Sequence, residues 1–429
     1  MKIDIVYNFF SKYASRAVLL ILFFVGFFPI TDIVLGNKVL GGLTRAIIAI
    51  IWFYFLFLRF KKDSYRLRFD FGEKLIIVFS LTALIFSIIS GANKFEDYSF
   101  SFIFLFSYLG INSFFRGSVF RVSTLLSVLY MSVFLALLHV VFMGIRQPDL
   151  IISLITLSPV DVTGMDRAFL MRGILDTSNT FALQMFIGFI SSFSLFLYYL
   201  ESESRKKCLL FFFFSFLFLS LILFSVSRGS LLASMIYILL VLIQIVKRKH
   251  LLIKNIKFFV PIVLIVISFF FVVSFKYDLI ENVTSKFSQG TTYRADAWSG
   301  FLKMKGKEFL SLEFFKGYGY RGFEQIVHSV SPEPTMRQLH NFILEMWGRF
   351  SFFGMVVLLF FLSMKLFNNF KTRSNVWYVL AIPISMLGRD FFEVVLFVGI
   401  FRWEMFFFWF MLLTPSYMKN SKSLSSAKS

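Results

Sequence analysis

The chain has 429 residues, of which 58% are hydrophobic and 20% aromatic, and its mean hydropathy is +0.78. Soluble globular domains have roughly 45–50% apolar residues, so this composition excludes them and indicates a polytopic membrane protein. The formal net charge of +20 would suggest a nucleic-acid partner in a soluble protein. Here Lys and Arg fall mostly in short breaks between apolar runs, where membrane topology explains them, so we expect no nucleic-acid partner.

The first apolar run, about residues 17–35, follows a basic start that contains Lys2, Lys12 and Arg16. This start resembles a signal peptide, but the apolar run is too long for one and no small-residue cleavage site follows it. We therefore expect an uncleaved first membrane helix.

Apolar runs of the length that a membrane-spanning helix needs, roughly 20 residues, recur along the whole chain. We predict an all-α fold in a single integral membrane domain, residues 1–429, with about twelve spans. Several runs are shorter than this length, so their boundaries and the division of 376–413 into two helices are approximate. The spans are predicted at about 17–35, 43–59, 75–90, 98–115, 122–145, 180–200, 208–227, 229–246, 258–275, 341–366, 376–388 and 392–413.

Basic residues predict the orientation of the spans, because short cytoplasmic loops carry an excess of Lys and Arg. With the N-terminus inside, every break on the cytoplasmic side is basic, and so is the C-terminal tail from Lys419, which we also place in the cytoplasm. The opposite side then carries a loop at 146–179, a tight turn at 227–229 and a long loop at 277–340.

The loop at 277–340 is the longest polar stretch, and we expect it to carry short helices and one half of an active site. Loops longer than roughly 15 residues are uncommon unless they have a function. Cys208 is the only cysteine, so no intramolecular disulfide can hold the loop, and it must pack against the membrane helices.

Three residues on this side are the main candidates for substrate binding or catalysis. Arg228, at the turn between two spans, is either a topology anchor or a phosphate ligand, because a guanidinium group donates two parallel hydrogen bonds. Arg294 begins a predicted amphipathic helix along the membrane surface, with Trp298, Phe301 and Leu302 facing lipid and lysines such as Lys305 facing lipid head groups. Arg294 itself either pairs with Asp296 or binds a ligand. His340, next to a span, is either structural or a base, because imidazole titrates near pH 6.5.

Other candidates are weaker. Gly317 and Gly319, in GYGYRGF, form either a surface turn or a backbone cradle for a sugar or phosphate. We expect no metal ion, because the sequence lacks Cys/His metal spacing and its outer acidic residues are scattered. The remaining substrate-binding candidates are Arg172, Asp176, Arg321, Asn341 and Arg389.

The order and spacing of these motifs resemble the O-antigen polymerase and O-antigen ligase superfamily over about residues 225–355. The first half of the chain matches in pattern alone. The matching residues are Ser227-Arg228-Gly229, Arg294 with Trp298, Gly317-Tyr318-Gly319 with Phe323, and His340-Asn341 followed by Glu345 and Gly348.

This resemblance implies an inner-membrane glycosyltransferase without a cofactor, whose long loop is periplasmic and whose donor is a growing glycan on undecaprenyl diphosphate. It further implies that Arg228 and Arg294 bind the diphosphate and that His340 orients or deprotonates the acceptor hydroxyl. The expected partners are the lipid-linked donor and acceptor glycans, membrane lipids and a chain-length regulator. The loop at 146–179 is expected to help close the glycan groove.

A polymerase joins lipid-linked repeat units, whereas a ligase transfers the finished chain to a lipid A-core sugar. We favour the polymerase because the abundance of Phe, 65 residues, resembles polymerases of repeat-unit gene clusters. The alternatives are the ligase, a flippase for the same lipid-linked unit and a membrane scaffold. A flippase should carry charged residues within its spans, and the sequence places its polar residues mainly outside them.

Overall fold

A computed structural model of the protein describes a large part of the chain. Several predicted features lie outside the described residues: the span at 17–35, the span at 258–275, Arg172 and Asp176. The described residues are 50–52, 54–61, 63, 69–89, 95–117, 122–146, 148, 178–225, 227–247, 291–309, 311–332, 336, 338–371, 377–391 and 403–426.

The described part of the chain is helical and contains no β-strand, which confirms the predicted all-α fold. A 3-10 helix, Trp377–Val379, precedes α12, and residues 54–61 are also helical. The α-helices are α1 (Phe71–Ile89), α2 (Phe95–Gly117), α3 (Val122–Arg146), α4 (Ser178–Glu201), α5 (Arg205–Ser225), α6 (Arg228–Lys247), α7 (Thr291–Lys307), α8 (Leu312–Phe315), α9 (Gly319–Val330), α10 (Phe342–Phe350), α11 (Phe352–Lys371), α12 (Ala381–Asp390) and α13 (Trp403–Ser426).

Six of the described helices are long and apolar enough to cross a membrane, namely α1, α3, α4, α5, α6 and α11. Several of them expose large apolar side chains, such as Ile85, Leu242 and Phe360. Extended exposed apolar surface is typical of contact with lipid. A multi-pass membrane protein is therefore supported, while the count of about twelve spans stays a prediction.

Two helices, α4 and α13, lie at the centre of the bundle. The apolar part of α4 is 89% buried, and every side chain from Met405 to Leu413 in α13 is buried. Helix α4 packs against α3, α5 and α6, whereas α13 packs against α2, α11 and α12. Because α12 also packs on α6, α13 lies between a group formed by α4, α6 and α12 and a group formed by α1, α2, α10 and α11.

One end of the bundle, which we call the ion-pair end, holds a buried polar network that the sequence analysis missed. Arg59 binds both carboxylate oxygens of Glu73, with Nη2 to Oε2 at 2.9 Å, and both side chains are fully buried. Asn112 donates to Glu73 at 2.7 Å, and Arg116 pairs with Asp70 at 2.6 Å. The network joins residues 54–61, α1 and α2.

The sequence contains a signal for part of this network. Asp70 accepts a hydrogen bond from the Glu73 amide at 2.7 Å, and Glu73 accepts one from the Asp70 amide at 2.8 Å. This reciprocal pair is a capping box, for which an acidic residue three positions after Asp, Ser or Thr is the sequence signature. Basic residues of the same segment, 61–74, place it among the predicted cytoplasmic breaks.

The opposite end of the bundle, which we call the loop end, carries the residues of interest. Phe353 stacks on Phe315 of α8 and on Phe86, close to the end of α1 that lies farthest from Glu73. The Tyr417 hydroxyl donates to Asn112 at 2.8 Å, so the C-terminal half of α13 lies at the ion-pair end and its first residues lie roughly 20 Å away, at the loop end.

The predicted continuous span at 341–366 is wrong, because the structure divides it at Ser351 (φ 105°) into α10 and α11. In an unbroken helix the Gly348 carbonyl would accept from the amide four residues later. Here it accepts from the amide of Tyr318 in the long loop at 2.7 Å. The Ser351 hydroxyl then caps α11 by accepting from the Gly354 amide at 3.0 Å. The Tyr318 amide of the loop thus replaces the helical donor to the Gly348 carbonyl at the point where α10 ends.

Candidate functional site

The backbone immediately before His340 is held from two helices. The indole N–H of Trp298, in α7, donates to the Leu339 carbonyl at 2.5 Å. The Leu339 amide donates to Glu345 Oε1, in α10, at 2.5 Å, and the other oxygen of Glu345 accepts from Arg349 Nε at 2.7 Å. Both backbone polar groups of Leu339 are thus hydrogen-bonded, which holds the backbone immediately before His340.

His340 lies next to Arg294 in this arrangement. Burial, and secondly the charge of Arg294, lower the pKa of His340 to about 4. At neutral pH the imidazole is therefore neutral and keeps a lone pair, while Arg294 remains positively charged. The structure thus places a hydrogen-bond acceptor beside a cation at the start of α10.

The apolar face of α7 packs on protein, which corrects the prediction that it lies on lipid. Phe301 is fully buried and makes edge contacts with the rings of Phe323 and Trp347, at 5.6 and 5.7 Å. The predicted lipid-facing partner Leu302 is exposed instead. Because the long loop buries its own aromatic side chains, it forms a compact helical unit.

Lys305, predicted to face lipid head groups, is buried within the same unit. Its ammonium group donates to the backbone carbonyls of Glu313 and, at 3.3 Å, of Lys316, and it lies 4.4 Å from the ring centre of Tyr318. Burial lowers the pKa of Lys305 to about 8. This side chain ties the end of α7 to the glycine turn.

The glycine turn, residues 317–319, packs against the helix break, and Asn341 caps α10. A Cβ on Gly317 would lie 2.6 Å from the Ser351 amide nitrogen, so the turn docks directly on the helix break, and Gly319 has a positive φ of 71°. Asn341 Oδ1 accepts from the Leu344 amide at 3.1 Å and caps α10. Arg321 lies within α9, and its side chain falls outside the described part.

A second group of polar residues lies where α4, α6 and α12 meet at the loop end. Arg228 is the first residue of α6, and Ser227 Oγ donates to Ser230 Oγ at 3.2 Å. Arg389, at the last turn of α12 and fully buried, donates from Nε to Ser230 Oγ at 3.0 Å and from Nη2 to the Asn179 carbonyl at 3.0 Å. Arg228 and Arg389 thus lie on neighbouring helices, and two hydrogen bonds hold the Arg389 guanidinium in place.

The predicted residues therefore form two groups at one end of the molecule. Arg294 and His340 lie on the α7 and α10 side of α13, whereas Arg228 and Arg389 lie on the α6 and α12 side. Within the described ranges, no set of three or more His, Cys, Asp or Glu side chains is placed to hold a metal ion.

The sequence analysis assigned no role to three further buried charged residues, because it placed polar groups mainly outside the spans. Glu345, Arg349 and Glu404 are buried within the predicted spans at 341–366 and 392–413. Glu345 and Arg349 are four residues apart, the spacing of a helical ion pair, and that spacing could have revealed them. Glu404 carries no comparable signal.

Comparison with known proteins gives one match. A family model described as O-antigen ligase matches residues 212–362. The matched stretch contains Arg228, Arg294 and His340, together with the loop helices and the helix break. No curated protein and no solved structure matches the chain.

Proposed function

We propose that this chain, which over residues 212–362 belongs to the O-antigen polymerase and ligase superfamily, is an O-antigen polymerase of the bacterial inner membrane. Members of this family are glycosyltransferase-like membrane enzymes. The polymerase would transfer a nascent glycan from undecaprenyl diphosphate to the non-reducing sugar of a lipid-linked repeat unit. The loop end would face the periplasm, with both termini in the cytoplasm.

The observation that carries this proposal is the neutral His340 held beside the cationic Arg294. The acceptor hydroxyl oxygen attacks the anomeric carbon of the donor glycan, and the bond from that carbon to the diphosphate oxygen breaks. Arg294 and Arg228 stabilise the departing diphosphate, and His340 takes the proton of the hydroxyl. Diphosphate bound to Arg294 would offset the arginine charge, so the pKa of His340 would rise and the imidazole would become a stronger base.

Arginines take the place of a metal ion in this proposal. Guanidinium groups bind phosphate oxygens through paired hydrogen bonds and keep their charge at any relevant pH. Arg389, Arg321 and the segment with Arg172 and Asp176 would contact the glycan or its diphosphate. EDTA should therefore leave glycan elongation unchanged, and inhibition that Mg²⁺ reverses would contradict this part of the proposal.

Purified protein in detergent, supplied with lipid-linked repeat units, tests the reaction. Wild-type protein should produce a ladder of lipid-bound glycans, and His340→Ala protein should not. Detergent solution has no second compartment, so elongation there would exclude a flippase. A wild-type protein that is folded but does not elongate the substrate would contradict the proposal.

The ligase remains the second candidate, because the matched family model carries that description. Deletion of the gene separates the two activities. Cells that cap their lipid A-core with a single repeat unit have lost a polymerase, whereas cells that accumulate polymer on undecaprenyl diphosphate have lost a ligase.

A further inference from the structure

Glu404 presents an unpaired carboxylate oxygen in the interior of the loop end. The side chain is 3% exposed, and its Oε1 accepts a hydrogen bond from Gln184 Nε2 at 2.7 Å. Its Oε2 has no hydrogen-bond partner among the described residues. Buried polar atoms are nearly always hydrogen-bonded, because an unpaired one is costly. An oriented carboxylate with one open oxygen therefore indicates a missing donor.

The pair lies between the two groups of candidate site residues. Gln184, in the second turn of α4, and Glu404, in the first turn of α13, join the two central helices. Arg389 binds the carbonyl of Asn179, which is in the first turn of α4, on one side. On the other side α13 packs against α2 and α11. Any ligand that spans Arg228 and His340 must pass the loop-end tip of α13.

Stabilisation of the helix terminus does not explain this arrangement. A glutamate in the first turn of a helix interacts favourably with the helix dipole, in partly buried sites as well as exposed ones, but that interaction leaves Oε2 without a hydrogen-bond donor among the described residues. Glu313, in the first turn of α8, shows the ordinary case, because its side chain is 45% exposed and pairs with Lys316 at 2.5 Å. Glu404 is instead buried and clamped by a neutral amide.

We propose that Glu404 Oε2 accepts a hydrogen bond from a hydroxyl group of the acceptor glycan, so that Glu404 and Gln184 form a sugar-hydroxyl subsite. This inference rests on the proposed function. A diphosphate does not suit the site, because two anions repel each other. A divalent cation needs several oxygen ligands, and the described residues around Glu404 include no acidic cluster that would supply them.

The test measures elongation of a labelled lipid-linked acceptor at saturating donor concentration. Glu404→Met removes the acceptor oxygens at similar volume, and it should raise the half-saturating acceptor concentration roughly tenfold to hundredfold, the loss expected of one hydrogen bond to a charged group, with a smaller change in kcat. Glu404→Gln keeps a neutral polar group and should lie between Met and wild type. Gln184→Met should weaken acceptor binding through loss of orientation.

Glu313→Gln is the matched control, because it also removes a first-turn carboxylate at the loop end, and it should behave as wild type. Acceptors that each lack one hydroxyl of the terminal sugar identify the contact. One deoxy acceptor should bind wild-type protein more weakly, yet bind Glu404→Met protein no more weakly than the full acceptor does. Equal losses for every acceptor, or unchanged acceptor saturation in Glu404→Met, would overturn the subsite.

A binding measurement separates failure of this inference from failure of the proposed function. The free repeat-unit oligosaccharide should raise the Tm of wild-type protein more than that of the Glu404→Met variant, whether or not the protein elongates glycans. If wild type does not elongate but shows this difference, the polymerase is wrong and the subsite stands. An equal Tm increase in both proteins overturns the subsite.

Discussion

At the scale of single residues, His340 combines an unusual backbone with a suppressed charge. Its φ of 53° lies in the left-handed region, which residues other than glycine rarely adopt. The hydrogen bonds of Leu339 to Trp298 and Glu345 hold the chain in that conformation. The backbone of His340 is therefore held in place, as the proposed role of a proton acceptor requires.

Trp298→Phe should lower kcat while the protein still inserts and folds. Phe keeps the ring packing but removes the indole donor to Leu339, so His340 loses one of the two anchors of its backbone. A misplacement of about 1 Å can cost roughly a hundredfold in rate. Elongation rate and Tm, measured together, check this expectation. Full activity would show that the bond to Leu339 does not position His340.

Arg294→Ala should abolish elongation, and Arg294→Lys should restore only part of it, because Lys lacks the two-pronged geometry. His340→Ala should slow elongation roughly 10²- to 10⁴-fold, the usual contribution of a general base. Rates on membranes that contain equal amounts of each variant check both expectations. A fully active Arg294→Lys enzyme would contradict paired hydrogen bonding to the diphosphate.

Acid should destabilise wild type more than a His340→Gln variant. The pKa of His340 is lowered to about 4 in the folded protein from its ordinary value of 6.5, so between these values the unfolded chain binds a proton that the folded chain does not. Stability from this residue is therefore present above pH 6.5 and is lost as the pH falls toward 4. Tm values of both proteins between pH 7.5 and 4.5 check the direction; parallel curves would contradict it.

At the scale of secondary structure, the long loop and the broken helix form one unit. Gly317 lies against the backbone at Ser351, and the Tyr318 amide donates a hydrogen bond to the Gly348 carbonyl. A Cβ on Gly348 would overlap the Phe323 ring, at 1.9 Å. Gly317 in the loop and Gly348 in α10 are thus required by close packing.

Gly317→Ala should destabilise the protein by about 1–3 kcal/mol, as overpacking of a buried site does. The added methyl group would lie 2.6 Å from the Ser351 nitrogen and 2.8 Å from the Arg349 oxygen. Gly306→Ala, in α7, is the control, because a Cβ there meets nothing within 4 Å, and it should be neutral or stabilising. Thermal unfolding of the two variants checks the contrast. Equal Tm values would contradict the packing role of Gly317.

Local sequence patterns predicted the helices and the polar loop, but not the contacts between them. The all-α fold and the turn at Arg228 follow from hydropathy and charge alone. The break at Ser351 depends on Tyr318, far earlier in the chain, and the burial of Glu73 depends on Arg59. Such partners meet only when the chain is folded. Arg294 and His340 were candidates because of their side-chain chemistry and their positions in the loop. The family resemblance supplied their specific roles, which remain predictions.

At the scale of the whole molecule, the two ends of the bundle differ in how their charged residues are paired. The ion-pair end contains charges that pair with one another, as Arg59 does with Glu73. The loop end contains cations and an open carboxylate. The first arrangement is suited to holding helices together, and the second to binding a charged, hydroxyl-rich substrate.

Arg59→Met should destabilise the protein by roughly 3–5 kcal/mol, because it leaves the buried Glu73 carboxylate without its main partner. The double variant Arg59→Met/Glu73→Met should recover much of that loss, since an apolar pair of similar volume replaces both charges. Thermal unfolding in detergent, analysed as a double-mutant cycle, checks this. Additive losses would show that the two residues stabilise the fold independently.

The break at Ser351 also bears on how the protein is made. Residues from Phe342 to Lys371, if they formed one unbroken helix, would extend roughly 45 Å, well beyond a hydrocarbon core of about 30 Å. If the loop end faces the periplasm, as proposed, Tyr318 reaches this helix only after export of the loop. We then expect export of the loop and fitting of the span to the bilayer to be coupled, and a chain that retains its loop on the wrong side to keep a mismatched helix.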